Sequence, residues 1–323
     1  MKKSFKILFN IAVIIIIVCF IWYIWFITIQ ATRNIENSKV KSHTDEPFAS
    51  PYKQVSFFEL PEEINCFDLF ESILFIAAGN SVNIYNLSGQ LLSFFPIKEK
   101  ARDITTENEE IYILYPTSIE VYTFHGELIR DWEACSQLSD YCSFTVAGDY
   151  LFVTDAENKN ICKYTKEGGF IKFIQSPSGF IIPSYTFDID CWNDTVYCVN
   201  SGSHLIETYT VNGDFITSFG KSGSESGFFA GCCNPAHISF TPQGKLITSE
   251  KGNPRVSLYD RKGNFNGVML DNKMLGLGNK AREAKVFDNK LFVAIENKII
   301  IFKCDQMTTS ECSGCIFDCP HKK

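Results

Sequence analysis

The sequence predicts an all-β protein, a six-bladed β-propeller preceded by one N-terminal transmembrane helix. Three observations carry this reading: an uncharged apolar run near the start, a strand phrase ending in an aromatic residue that occurs six times, and one strand-like segment ahead of the first phrase with no partner of its own. The 323 residues, 45% hydrophobic and 21% charged, are ordinary for a globular chain. Twenty-nine Phe and 13 Tyr favour strands over helices. A net charge of −7 without a basic patch argues against a nucleic-acid partner.

Residues 1–6 form a short basic start, with Lys2, Lys3 and Lys6. Residues 7–29 carry no charge, and as a helix they would span about 34 Å, slightly more than the hydrocarbon core of a bilayer. A cleaved signal peptide has a shorter apolar core and ends in small residues. This run is longer, and it ends in bulky residues with Trp22, Tyr23 and Trp25 placed for an interfacial belt. The segment therefore reads as a retained signal anchor. The basic start sets the N-terminus in the cytoplasm and the rest of the chain outside, at the cell membrane and facing the periplasm. Residues 30–50 are polar without apolar periodicity and read as a flexible linker.

The propeller is assigned to residues 51–303. Its third-strand phrases end at Tyr85, Tyr122, Tyr164, Tyr209, Tyr259 and Phe302, spaced by 37, 42, 45, 50 and 43 residues. Periods near 40 with four short strands each point to propeller blades. In the first five repeats a glycine follows four residues later (Gly89, Gly126, Gly168, Gly213, Gly263), where a tight hairpin needs positive φ. Those repeats also carry a fourth strand, whereas the sixth stops at Phe302. The unassigned segment Gln54–Leu60 is expected to supply the missing outer strand and close the ring.

The stretch from Phe219 through Gly220, Gly223, Gly227 and Phe228 to Pro235-Ala236-His237-Ile238, followed by Asn253-Pro254-Arg255-Val256 and Tyr259-Asp260, resembles the NHL-repeat propellers. The match is specific for blade five, fair for blades three and four, and weak elsewhere. It is similar to bacterial membrane-anchored NHL-like proteins. The resemblance implies a binding platform, the role of most NHL propellers, while a few are enzymes such as metal-using lyases; fold alone does not decide between these.

Blade topology places the candidate residues. Turns between strands two and three share a face with the connections between blades. Cys232, Cys233 and His237 lie at the entry to blade five, and Glu250, Lys251 and Arg255 lie at its second-to-third turn. All six are expected on one face, as the best polar cluster for a ligand. Within it, Glu250, Lys251 and Arg255 read as solvated turn charges, and His237 as a packed or backbone-bonded residue. The chain ends should leave from the other face. Asp188 and Asp190 share a strand face but lack calcium-loop spacing. Cys135 with Cys142, and Cys191 with Cys198, are local disulfide candidates, the second pair out of direct register across its hairpin.

The tail, residues 304–323, holds Cys304, Cys312, Cys315 and Cys319. Thiolates at this spacing suit an iron–sulfur cluster or zinc. In an oxidising compartment disulfides are the favoured alternative. No phosphate loop, catalytic triad or HExxH pattern is present. The sequence thus predicts a membrane-tethered module that binds a protein or ligand rather than an enzyme. Its alternative is an accessory subunit of a membrane redox system with a tail-bound cluster or metal.

Overall fold

The computed structural model describes residues 20, 22–25, 50–276, 278 and 280–304. Two compact units divide the chain, residues 1–49 and residues 50–323. In the first, Phe20 and residues 22–25 are helical and exposed. The remainder of the expected span and all of residues 30–49 lie outside the described residues. Among the described residues no helix is long and apolar enough to cross a membrane.

The second unit is six four-stranded antiparallel sheets. Blade one is β2 (Ile64–Phe70), β3 (Ile73–Ala78), β4 (Ser81–Asn86) and β5 (Leu91–Pro96). Blade two is β6 (Asp103–Glu107), β7 (Glu110–Tyr115), β8 (Ser118–Thr123) and β9 (Leu128–Glu133). Blade three is β10 (Tyr141–Ala147), β11 (Tyr150–Asp155), β12 (Asn160–Thr165) and β13 (Phe170–Ile174). Blade four is β14 (Ile189–Trp192), β15 (Thr195–Asn200), β16 (Leu205–Thr210) and β17 (Phe215–Phe219). Blade five is β18 (His237–Phe240), β19 (Leu246–Glu250), β20 (Arg255–Tyr259) and β21 (Phe265–Leu270). Blade six is β22 (Ala284–Phe287), β23 (Lys290–Ile295) and β24 (Lys298–Cys304), completed by β1 (Tyr52–Glu59) from the start of the domain.

The ring closes as the repeat count demands. β1 pairs with β24 from Tyr52 opposite Cys304 to Glu59 opposite Lys298, with an irregularity at Val55. It begins two residues earlier than the apolar pattern alone suggests, because the partner strand continues to Cys304. Tyr52 opposite Cys304 also means that both chain ends leave the domain side by side.

The core is divided among the junctions between blades, one apolar layer at each. Phe75, Phe152 and Phe292 are completely buried in three of these layers. Each buried Phe is worth about 1.5–3 kcal/mol. The repeated glycines do more than turn the chain. Gly126, at φ +82°, lies under Phe95 of the preceding blade, and Gly263, at φ +85°, under Phe219. A Cβ at Gly263 would fall 2.2 Å from the Phe219 ring. Gly89 stands against Phe58 of β1 in the same way, so the closing strand supplies blade one with the neighbour that every other blade already has.

Candidate functional site: the mouth of the central channel

The first strand of each blade lines the axis of the ring. A strand presents alternate residues to one side, and the residues lining the axis at these strand starts form polar pairs: Asp103 with Thr105, Asp188 with Asp190, Glu283 with Lys285. Ser143 and His237 join them, and Asp68 of β2 lies beneath. Every one of these strands starts on the face that carries the connections between blades, so the cluster opens there. The first residue of β1 and the last of β24 lie at the opposite face.

Lys285 is the hub of the lower layer. Its Nζ donates to Asp68 Oδ1 at 2.7 Å and stands 3.9 Å from Glu283 Oε1. Asp68 Oδ2 also accepts from the Thr106 amide and hydroxyl, each at 2.7 Å. Burial works against the Asp68 carboxylate, yet Lys285 and these donors outweigh it and hold its pKa below the ordinary value. Surrounding carboxylates push the Lys285 pKa upward despite burial.

The upper layer is a hydrogen-bonded run across four blades. Ser143 Oγ is 2.7 Å from Asp103 Oδ2 and 2.6 Å from Asp188 Oδ1. A hydroxyl has one proton to donate, so one of the two contacts requires a proton on the carboxyl side. Asp103 takes up that proton as pH falls through its pKa, which burial, then repulsion from Asp188, raises to about 6. Asp188 Oδ2 accepts from the Ile238 amide at 2.6 Å and faces His237 Nδ1 at 3.7 Å. Burial opposes charge on His237, but Asp188, with Glu283 and Asp103 behind it, raises the His237 pKa above its usual value. Burial likewise lifts Asp190 to about 7 and Glu283 to about 8, against the pull of Lys285. The site can therefore hold, share and release protons near neutral pH. Among the described residues no group of three or more His, Cys, Asp or Glu is arranged to hold a metal ion.

Above this layer the channel widens into a cavity of about 590 Å³ and an adjoining one of about 350 Å³. His237 borders both and also the polar bottom.

The residues singled out from sequence do not stay together. His237 is in the mouth, its side chain 43% exposed and facing Asp188. Lys251 borders the second cavity and donates to Thr186 Oγ1 at 2.7 Å. Cys232 is exposed and Cys233 buried in the connection entering blade five, with their Sγ atoms 3.1 Å apart. Glu250 and Arg255 depart from the expectation of solvated turn charges. They are 1% and 8% exposed and form a two-pronged ion pair inside blade five. The connection 225–230 covers the turn, and Arg255 bonds to the Phe228 and Glu225 carbonyls there. Cys304 ends β24 and is buried in the layer between blades five and six; Cys312, Cys315 and Cys319 lie outside the described residues. Cys135 approaches Cys162 at 3.5 Å rather than Cys142, and Cys191 faces Val196 rather than Cys198.

Asp68, Asp103, Ser143, Glu283 and Lys285 were not legible as a site. Except for Asp68, their signal is a polar–apolar–polar triplet at the start of the blades: Asp103-Ile104-Thr105, Ser143-Phe144-Thr145, Asp188-Ile189-Asp190, His237-Ile238-Ser239 and Glu283-Ala284-Lys285.

No family model matches the chain, and no curated protein matches it. Among solved structures it is similar to virginiamycin B lyase from Staphylococcus aureus, at 14% identity and a TM-score of 0.55, over 78% of this chain and 99% of that one. A catalytically inactive histidine-to-alanine form of that lyase with quinupristin gives 15% identity and a TM-score of 0.56 over the same shares. The WD40 domain of Neurospora crassa Pan2 gives 8% identity and a TM-score of 0.55, over 80% of this chain and 97% of that one. At these identities the likeness is one of architecture, and what it establishes is the fold: an all-β, six-bladed propeller.

Proposed function

We propose that the chain is a membrane-tethered, extracytoplasmic, NHL-like propeller that binds a small polar ligand in the mouth of its central channel. One observation carries the reading: the cavities meet at His237, directly above a buried cluster of carboxylates, lysine and serine. A concave site with a few converging polar groups and shifted pKa values is where a ligand is expected. In this reading residues 7–29 would supply the membrane anchor and residues 30–50 the linker, with the mouth serving a ligand or a protein partner.

The test is a thermal-shift screen of small polar metabolites on the full chain in detergent, run beside His237→Phe. At least one compound should raise the melting temperature saturably in the parent chain and fail to do so in the variant. Equal shifts in both would remove the mouth from consideration.

A second reading, an active site, is favoured by the Asp103–Ser143–Asp188 run beside His237, which can hold and pass a proton. The lyases that share the fold make quinupristin a natural first assay: turnover lost in His237→Ala would establish it. The redox alternative rests on Cys312, Cys315 and Cys319. The burial of Cys304 in β24 favours a tail that acts without it. Stoichiometric iron or zinc in the purified chain would support that alternative.

A further inference from the structure

Most cations around the mouth already have partners. Lys280 is paired with Glu63, Arg102 reaches Asp140 at 3.3 Å, and Lys285 holds Asp68. Arg282 is different. It borders the 590 Å³ cavity and is 6% exposed. Its Nε is fully enclosed without a hydrogen-bond partner, and its guanidinium makes no ion pair among the described residues. Its backbone is anchored, the amide donating to Ser249 Oγ at 3.1 Å. The neighbouring Glu283 does not serve it. That carboxyl turns down the channel, where Oε2 accepts from the Phe67 amide and Oε1 faces Lys285.

An arginine cannot discharge itself by losing a proton, and a buried charge is ordinarily paired. An anion brought from outside would supply the partner that no described residue supplies. A guanidinium matches a planar carboxylate with two parallel hydrogen bonds. The same cavity is lined by Glu99 and Glu296, which repel a dianion more than a monoanion, so a carboxylate fits better than a phosphate. Its volume suits a small organic molecule.

We propose that Arg282 is a binding residue that receives the carboxylate of a small organic acid in the channel mouth, with the acid's hydroxyl or ammonium groups directed to Glu99 or Glu296, which line the same cavity. The ligand class is that of amino and hydroxy acids. This rests on the reading of the mouth as a ligand site and adds the charge and the residue that select the ligand.

The experiment titrates the full chain with a panel of small amino and hydroxy acids, the carboxamide of each, and inorganic phosphate, by thermal shift and calorimetry. Acids should bind saturably, while their carboxamides and phosphate bind at least about tenfold more weakly, as expected on losing a charge-assisted pair. Arg282→Met should weaken acid binding by a similar factor without lowering the ligand-free melting temperature, and Arg282→Lys should restore part of it. A purely structural arginine would instead lower that temperature. Carboxamides that bind as well as acids, phosphate that binds more tightly, or undiminished acid binding by Arg282→Met would overturn the assignment. Neutral compounds that bind only when His237 is intact would overturn it while leaving the mouth as a ligand site. Absence of binding by every compound would sink both.

Discussion

Two buried arginines, twenty-seven positions apart in sequence, occupy opposite situations. Arg255 is 8% exposed and completely served by its own blade, by both oxygens of Glu250 and by carbonyls of the connection 225–230. Arg282 is 6% exposed and served by nothing among the described residues. The first is a staple that fixes a loop; its charge is consumed inside the fold. The second retains a charge that no described residue pairs, at the edge of a cavity. Burial of a charged side chain is therefore not by itself a sign of function. What separates structure from function is whether the partner is in the chain.

The comparison can be broken most forcefully at Glu250. Glu250→Gln leaves Arg255 buried beside a neutral group, and losing one partner of a buried pair costs about 3–5 kcal/mol. Urea denaturation should show that loss, and a loss under 1 kcal/mol would mean the pair is not a staple. Next in size is the packing that holds the blades at their spacing. Gly263→Ala places a methyl group against Phe219 at positive φ, and overpacking with backbone strain should cost about 1–3 kcal/mol. An unchanged melting curve would show that the outer strand can move aside.

The channel should behave differently from blade five when pH is changed. Asp103 at about 6, Asp190 at about 7 and Glu283 at about 8 hold protons in the folded chain at pH values where unfolded carboxyls, near 4, have lost them. Their contribution to stability therefore grows as pH falls from 8 toward 5. His237, raised by Asp188, acts in the same direction. Its contribution is whole below the unfolded histidine value and is lost as pH rises through the folded one. Asp68 and Asp188, whose pKa values are lowered, act oppositely: their contribution is present above the unfolded value and disappears in acid. Stability should peak near pH 5 and decline steadily as pH rises to 8. Glu283→Gln should flatten that decline, and a stability that instead increases from pH 5 to 8 would contradict the assigned charges.

How much of this was legible in the sequence follows from the range of the forces involved. Strand phrases, turn glycines and the closing segment are local signals, governed by alternation and by the φ of single residues, and the six blades and the closing strand follow from them. The site is assembled from inner strands of all six blades. Asp68 and Lys285, 217 positions apart, meet only because the ring closes. Glu250 and Arg255 misled for the converse reason. As neighbours across a turn they looked solvated, and only the connection from the preceding blade covers them.

The most direct test of the central claim is a side-by-side urea unfolding of Arg255→Met and Arg282→Met in the ligand-free full chain. The account predicts a loss of about 3 kcal/mol or more for Arg255→Met, which strands Glu250, and no loss or a small gain for Arg282→Met, which removes an unpaired buried charge. Equal losses in the two variants would contradict it, because Arg282 would then be as much a part of the scaffold as Arg255.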